Sequence, residues 1–292
     1  MENFHTPVLL KEAIDYLNVE TGAKYIDATL GGGGHTEEIL RRGGKVLGID
    51  CDPEAIEYAG LRVQDSGFRE NLRLARGNFK DLKSIALSES FDKVSGIIFD
   101  LGVSTHQLLT PSRGFSFNTE TPLNMRMDPQ LAVTAADLIN GLGKGELYEL
   151  FFKLGEEHNA RAVAQAIVRA RALAPIKTCD ELAQIIIQAR PKRGSFDRTH
   201  PATRIFQALR IAVNDELNNL REALPQAVEL LRPKGRLVVI SFHSLEDRIV
   251  KEFFRQEARF LILTKHPIKP SLEEKRRNPR SRSAKMRVAE KI

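Results

Sequence analysis

The sequence predicts an α/β fold in which a mostly parallel sheet is interrupted by an inserted helical domain. Three observations carry this. Short apolar runs alternate with helical periodicity over the first hundred residues, the alternation stops after Asp100 for about a hundred residues, and a further apolar run follows at 235–243. Strands that alternate with helices need crossover connections, and crossovers join parallel strands.

Taken in order, "KYIDATL" (24–30), "KVLGID" (45–50), "LRLARG" (72–77) and "VSGIIFD" (94–100) read as strands. They are apolar on both faces, as strands buried under helices on both sides must be. Helical patterns, "HTEEILRRG" and "DPEAIEYAGLRVQ", separate the first three. From about Thr105 to Thr134 the chain is rich in Pro, Gly, Ser and Thr. The helical patterns "AADLINGL", "GELYELFFKLG", "EEHNARAVAQAIVRARAL" and "CDELAQIIIQAR" follow, then the Pro- and Arg-rich connection "RPKRGSFDRTHP". "ATRIFQALRIAVNDELNNLREAL" has apolar residues at helical spacing, with Ile205, Leu209 and Ala212 in one set and Phe206, Val213 and Leu217 in another. "GRLVVISFH" (235–243) is a buried strand after the turn "RPKG", and "FLILT" and "KMRVAEKI" supply closing strands. The expected division is a discontinuous domain of residues 1–105 and 207–292, with 106–206 as the helical insertion.

Composition fits an ordinary globular protein: 292 residues, 42% hydrophobic and 28% charged. No apolar run approaches the roughly 20 residues of a membrane span. The N-terminal stretch has an early acidic residue and no basic n-region, so no secretion signal is expected. Cys51 and Cys179 stand alone without metal-ligand spacing, which suits a reducing compartment, the cytosol by default. The net charge of +6 is unevenly spread. Residues 161–210 and 265–292 each hold 10 Lys/Arg against 3 Asp/Glu, so the remainder of the chain is acidic. Two concentrated basic stretches on an acidic body suit a polyanionic partner.

The stretch "DATLGGGGHTEEIL" (27–40) places four glycines between the first strand and a helix, where backbone amides can approach a ligand closely. Two phosphate signatures fail on it. In G-x-G-x-x-G the sixth position from Gly31 is Thr36 and from Gly32 is Glu37, and Gly44-Lys45 is followed by Val46 rather than Ser or Thr. Asp50 ends the second strand, where a carboxylate can accept both hydroxyls of a ribose. Asp52 is better suited to cap the following helix. "GNF" (77–79) offers an amide and an aromatic ring for an adenine edge and face, and Asp100 ends the fourth strand. Ligands of open α/β sheets bind at these carboxyl ends. A glycine turn, a ribose acid, an adenine pair and a fourth-strand acid together make the layout of an S-adenosylmethionine site.

"HTPVLLKEAIDYL", "DATLGGGGHT", "GIDCDPEAI", "DLGVSTHQL", "RGFSF", "NMRMD", "RIFQALRIAVNDEL", "GRLVVISFHSLEDRIVK" and "NPRSRSAKMR" resemble the bacterial MraW/RsmH family from residue 5 to residue 287. The resemblance implies a class I S-adenosylmethionine-dependent methyltransferase with a Rossmann-like sheet. It also implies methylation of the exocyclic N4 of a cytidine in small-subunit (16S) ribosomal RNA, in the cytoplasm. The family's cofactor positions fall on Gly33, Gly34, His35, Asp50, Phe79, Asp100 and Gln107. Of these, His35 and Gln107 rest on the resemblance, since the residues alone make His35 a helix N-terminal residue. Two departures stand out: Thr105 and Leu109-Thr110 replace a Ser and an Asp of the usual "DLGVSSxQLD", and Asn124 stands where the family usually reads "LDMRM".

The chemistry sets further expectations. The N4 lone pair of cytosine is delocalised into the ring, so an acceptor must hold one N–H and take the departing proton; Asp100 or the Ser104 hydroxyl is the candidate, with His243 on the same rim. DNA amino-methyltransferases carry Pro-Pro-Tyr after the acid or amide at this place, whereas this chain has "DLGVS", so another pocket must hold the base. Phe115 or Phe117 can stack on it, Arg126 can contact phosphate or base, and Ser241 lies at the fifth strand's end. Arg190, Lys192, Arg193 and Arg198 in one basic stretch, and Lys275, Arg276, Arg277, Arg280 and Arg282 in the other, can hold an RNA backbone. No metal cluster is visible in the sequence, and methyl transfer requires none. The competing readings are an amino-methyltransferase acting on DNA or another RNA, a nicotinamide-dependent oxidoreductase, and a non-enzymatic RNA-binding assembly factor.

Overall fold

The computed structural model describes residues 7–64, 67–117, 120–189 and 200–292. Helix α1 (Leu10–Leu17) precedes an alternating series: β1 (Lys24–Asp27), α2 (Gly34–Arg41), β2 (Lys45–Asp50), α3 (Pro53–Gln64), β3 (Leu72–Arg76), α4 (Leu82–Ser88) and β4 (Val94–Asp100). Helices α5 (Thr105–Leu109), α6 (Ala135–Gly141), α7 (Lys144–Gly155), α8 (Ala160–Arg171), α9 (Cys179–Ala189) and α10 (Thr203–Asn214) follow. The chain then forms α11 (Glu216–Leu230), β5 (Leu231–Ser241), α12 (Ser244–Gln256), β6 (Phe260–Ile262), α13 (Leu272–Arg277) and β7 (Lys285–Lys291). Among the described residues no helix is long and apolar enough to cross a membrane.

The seven strands form one sheet in the order β3-β2-β1-β4-β5-β7-β6. The first five in that order run parallel, whereas β7 pairs antiparallel with both β5 and β6. Strand order reverses between β1 and β4, which makes the loop leaving β1 the natural place for a ligand. Side chains alternate between faces along each strand. On β4, Ile97 and Phe99 join Leu224 and Val228 of α11 and Phe254 of α12, while Ile98 joins Ile14 and Leu17 of α1 and Ile39 of α2. Both faces of β4 are covered, which is why it reads as a continuous apolar run.

The chain divides into two compact units, Met1–Ser104 with Leu217–Ile292, and Thr105–Glu216. The expected return at 207 falls inside α10, so the helical unit continues ten residues further. The stretch of helical spacing over 202–224 spans two helices, broken at Asp215 with φ 50°. Its periodicity continues across the break because each half serves a different core: Ile205 and Leu209 are buried in the helical unit, and Leu220 and Leu224 under the sheet. Within the helical unit, a Cβ on Gly155 of α7 would lie 2.7 Å from the carbonyl of Arg204 in α10, so the glycine permits the close helix contact. The Arg171 guanidinium donates to the carbonyls of Ile139 and Leu142, both at 2.5 Å, satisfying the open C-terminus of α6.

Candidate active site

Parallel pairing brings four strand ends to one edge of the sheet. Asp27 ends β1, Asp50 ends β2, Asp100 ends β4 and Ser241 ends β5. The glycine turn leaves β1 at that edge, with Gly33 at φ 73° serving as N-cap of α2. Gly34 is required by contact: a Cβ there would lie 2.8 Å from Cγ of Pro7.

Asp50 is held from two sides. Its Oδ2 accepts from the Gly31 amide at 2.8 Å and its Oδ1 from the Asp52 amide at 2.9 Å. Asp52 in turn accepts from the Glu54 amide at 3.1 Å, the capping role expected of it. Burial pushes the Asp50 carboxyl up to about 6, against the two amides that hold it down. Each carboxylate oxygen spends one lone pair on an amide and retains another. This arrangement fits the two hydroxyls of a ribose at neutral pH.

A second cluster lies at the β1–β4 boundary. Asp27 is buried, accepting from Thr36 Oγ1 at 2.7 Å and from the Thr29 amide at 3.3 Å. Burial raises its carboxyl above the usual range, and the charge of His35 opposes that rise. The His35 imidazole places Nδ1 3.8 Å from Asp100 Oδ2 and Nε2 3.3 Å from the carbonyl of Val8. The Asp100 amide donates to Thr29 Oγ1 at 2.6 Å, tying β4 to the loop after β1. His35 and Asp100 are thus brought together at the β1–β4 boundary. Asp27 escaped the sequence reading, although it opens the glycine stretch and ends a strand just as Asp50 and Asp100 do.

The other candidates sort by surroundings. Phe79 meets Phe99 edge-on, centroids 5.7 Å apart, and the Asn78 side chain is used by its own turn, accepting from the Lys80 amide at 3.0 Å. Ser104 is half-buried and closes the sheet unit. Ser241 is buried and donates to the Lys285 carbonyl at 3.2 Å. His243 is the N-cap of α12: Nδ1 accepts from the Glu246 amide at 3.4 Å, and Nε2 lies 3.1 Å from Glu246 Oε1. Glu246 returns the bond by accepting from the amides of Phe242 and His243.

Gln107, Phe115 and Arg126 belong to the helical unit. Gln107 is buried in α5. Phe115 is buried, whereas Phe117 is partly exposed and stacks on His200 with centroids 4.2 Å apart. Arg126 is engaged locally, with Nε donating to Asn124 Oδ1 at 2.8 Å and Nη1 to the Leu131 carbonyl at 2.6 Å. Asn124, the departure noted in the sequence, therefore orients Arg126. Arg276 and Arg282 are exposed, Arg277 pairs with Glu273 at 2.5 Å, and Arg280 is half-buried. Arg190, Lys192, Arg193 and Arg198 lie outside the described residues.

The chain is similar to several known proteins. A relative from Thermomicrobium roseum named "Ribosomal RNA small subunit methyltransferase H" is 50% identical, covering 99% of this chain and 94% of its own length. One of the same name from Carboxydothermus hydrogenoformans is 46% identical, covering 100% and 99%. A solved structure described as a putative rRNA-methylase from Clostridium thermocellum is 16% identical with a TM-score of 0.49, covering 98% and 99%. The MraW methylase family matches residues 2–292, essentially end to end, and the chain belongs to that family.

Proposed function

We propose that the protein is an S-adenosylmethionine-dependent methyltransferase that methylates the exocyclic N4 of a cytidine in small-subunit (16S) ribosomal RNA, acting in the cytoplasm. The observation that carries the cofactor half is Asp50, held by the Gly31 and Asp52 amides beside the glycine turn at the strand-order reversal. The relatives' name supports the substrate half, together with the basic stretches of the chain. Nothing in the relatives favours a DNA or nicotinamide enzyme.

In this reading Gly33, Gly34, His35, Asp50, Phe79, Asp100 and Gln107 hold the cofactor, which supplies an electrophilic methyl group when bound. The protein's remaining task is alignment and proton removal. Asp100, at the end of β4, holds one N–H of the cytosine amine and takes the proton as the nitrogen gains its new bond. Ser104, four residues on, offers a hydroxyl to the same amine. His35 Nδ1, 3.8 Å from Asp100 Oδ2, sits where it can share that proton. Phe117 is better exposed than Phe115 to stack on the base. His243 supports the rim by holding the start of α12 rather than by touching the reacting atoms.

The deciding experiment incubates the protein with labelled S-adenosylmethionine and, separately, naked 16S RNA, small ribosomal subunits and duplex DNA, and maps the methylated nucleotide. A single N4-methylated cytidine in the ribosomal samples is expected. Label in DNA alone, or none in any sample, would refute the reading. Asp50→Ala and Asp100→Ala should abolish transfer while the basic tail still binds RNA, which separates an enzyme from an assembly factor.

A further inference from the structure

The basic tail is not uniform. Arg276 and Arg282 are exposed and Arg277 is paired with Glu273 in the open, as ordinary surface cations are. Arg280 lies in a 3-10 turn, Pro279–Ser283, whose backbone is fixed by Asn278. Asn278 Oδ1 accepts from the Arg280 amide at 3.3 Å, and its carbonyl accepts from Ser281 Oγ at 2.8 Å. The Arg280 guanidinium is half-withdrawn from water, and its Nη1 is buried with no hydrogen-bond partner among the described residues. Burial, with no carboxylate opposing it, lowers its pKa from the usual arginine value. A guanidinium does not give up its proton, so a desolvated and unpaired N–H is a standing cost to the fold. A ligand that brings an anion would remove that cost.

The turn is also fastened to the active edge. It leads into β7, whose Lys285 is in register with Ser241, the last residue of β5. One turn earlier, Glu274 Oε1 of α13 accepts from the Leu9 amide at 2.8 Å. The neighbouring Val8 carbonyl meets His35, and Pro7 lies against Gly34. The tail is therefore joined through Pro7–Leu9 to the glycine turn and to the His35–Asp100 pair. Its neighbours in sequence, Lys275, Arg276, Arg277 and Arg282, supply a field suited to a polyanion rather than to a single carboxylate.

We propose that Arg280 is the phosphate-gripping residue for the RNA substrate, binding a backbone phosphate beside the target nucleotide at the sheet's carboxyl edge. The exposed arginines around it supply diffuse attraction. This rests on the ribosomal reading above and deepens it. Phosphate contacts fix register on a nucleic acid, so Arg280 is a positioning residue rather than a catalytic one.

The test compares Arg280→Gln and Arg280→Lys with Arg276→Gln in the full-length protein. The readouts are affinity for a 16S RNA transcript across salt concentrations, S-adenosylhomocysteine affinity by calorimetry, KM and kcat for methyl transfer, and thermal unfolding. Loss of one charge-assisted contact predicts a roughly tenfold to hundredfold weaker RNA affinity for Arg280→Gln. The slope of log affinity against log salt should fall by about one. Arg280→Lys should recover part of the affinity, and Arg276→Gln should change it by about twofold or less. S-adenosylhomocysteine affinity should stay unchanged, and the melting temperature should hold or rise, because a half-buried guanidinium with an unpartnered N–H has been removed. Unchanged RNA affinity in Arg280→Gln would overturn the assignment. So would weakened S-adenosylhomocysteine binding, which would give the guanidinium to the cofactor, or a lowered melting temperature, which would make it structural. Failure of the wild-type protein to methylate any ribosomal sample counts against the ribosomal reading instead, because RNA affinity is measured independently of turnover.

Discussion

Asp50 faces two opposed demands on one carboxylate. Its burial favours the neutral acid, and the Gly31 and Asp52 amides favour the anion, leaving the group at about 6. Ribose hydroxyls need the anion as acceptor. S-adenosylhomocysteine affinity should therefore be flat above about pH 7 and fall as pH drops through 6, approaching tenfold per unit below it. Folding runs the other way. The folded value lies above the 3.8 of an ordinary aspartate, so the folded free protein binds the proton more readily, and acidification through that window favours it at this site. Calorimetric titrations from pH 5 to pH 8 check the first expectation, and Asp50→Asn should bind weakly with a flat profile; a wild-type profile flat to pH 5 would remove Asp50 from the ribose. Gly34 allows a second residue-scale test. A methyl group there meets Pro7 Cγ, Cδ and Cβ at 2.8, 3.0 and 3.1 Å, and a proline ring cannot rotate away. Gly34→Ala should cost about 1–3 kcal/mol, measured by denaturant unfolding, and should loosen cofactor binding with it.

Among the elements, α12 separates support from catalysis most clearly. His243 and Glu246 cap each other's backbone at its start, and Asp247 anchors β7 through Arg287 at 2.7 Å and Lys285 at 3.1 Å. Asparagine is also a good N-cap, so His243→Asn should keep stability within about 0.5 kcal/mol and turnover within about tenfold of wild type. Glu246→Ala, which removes the acceptor for two amides, should cost about 1–2 kcal/mol. A collapse of turnover in a fully stable His243→Asn variant would instead make the imidazole part of the chemistry. The central strands β1, β2 and β4 were legible in the sequence because each is largely buried and ends in an aspartate at the active edge. The break at Asp215 was not, since apolar spacing reports that a residue is buried without reporting in which core. The contact of Leu9 with Glu274 was invisible for a similar reason: it joins residues 265 positions apart through a single backbone amide.

At the scale of the whole molecule, the candidate site residues that local sequence pointed to are those placed by topology: the glycine turn, Asp50 and Asp100 all sit at strand ends. The candidates His35 and Gln107 rest on the family resemblance alone, because a histidine or glutamine at a helix start carries no ligand signal of its own. The helical unit is legible as an insertion, and its structure makes a stronger claim. Thr105–Glu216 has its own buried set, including Ile139, Phe151, Val163, Ile167, Leu182, Ile186 and Leu209. Its end is tied to its beginning: the Asn214 side chain accepts from the Met127 amide at 2.7 Å and donates to the Met125 carbonyl at 2.8 Å. Arg210 closes the last turn on Glu216 with two bonds of 2.8 Å each. A segment of this size with a private core is expected to fold without the sheet. Expressed alone, residues 105–216 should give a helical circular-dichroism spectrum and one cooperative thermal transition. The calorimetric enthalpy should be about 80 kcal/mol near 60 °C and equal to the van't Hoff value. The fragment should show no thermal shift with S-adenosylhomocysteine, because Gly33, Asp50 and Asp100 are absent from it. A broad transition with a van't Hoff enthalpy far below the calorimetric one would mean that the insertion depends on the methyltransferase sheet for its order.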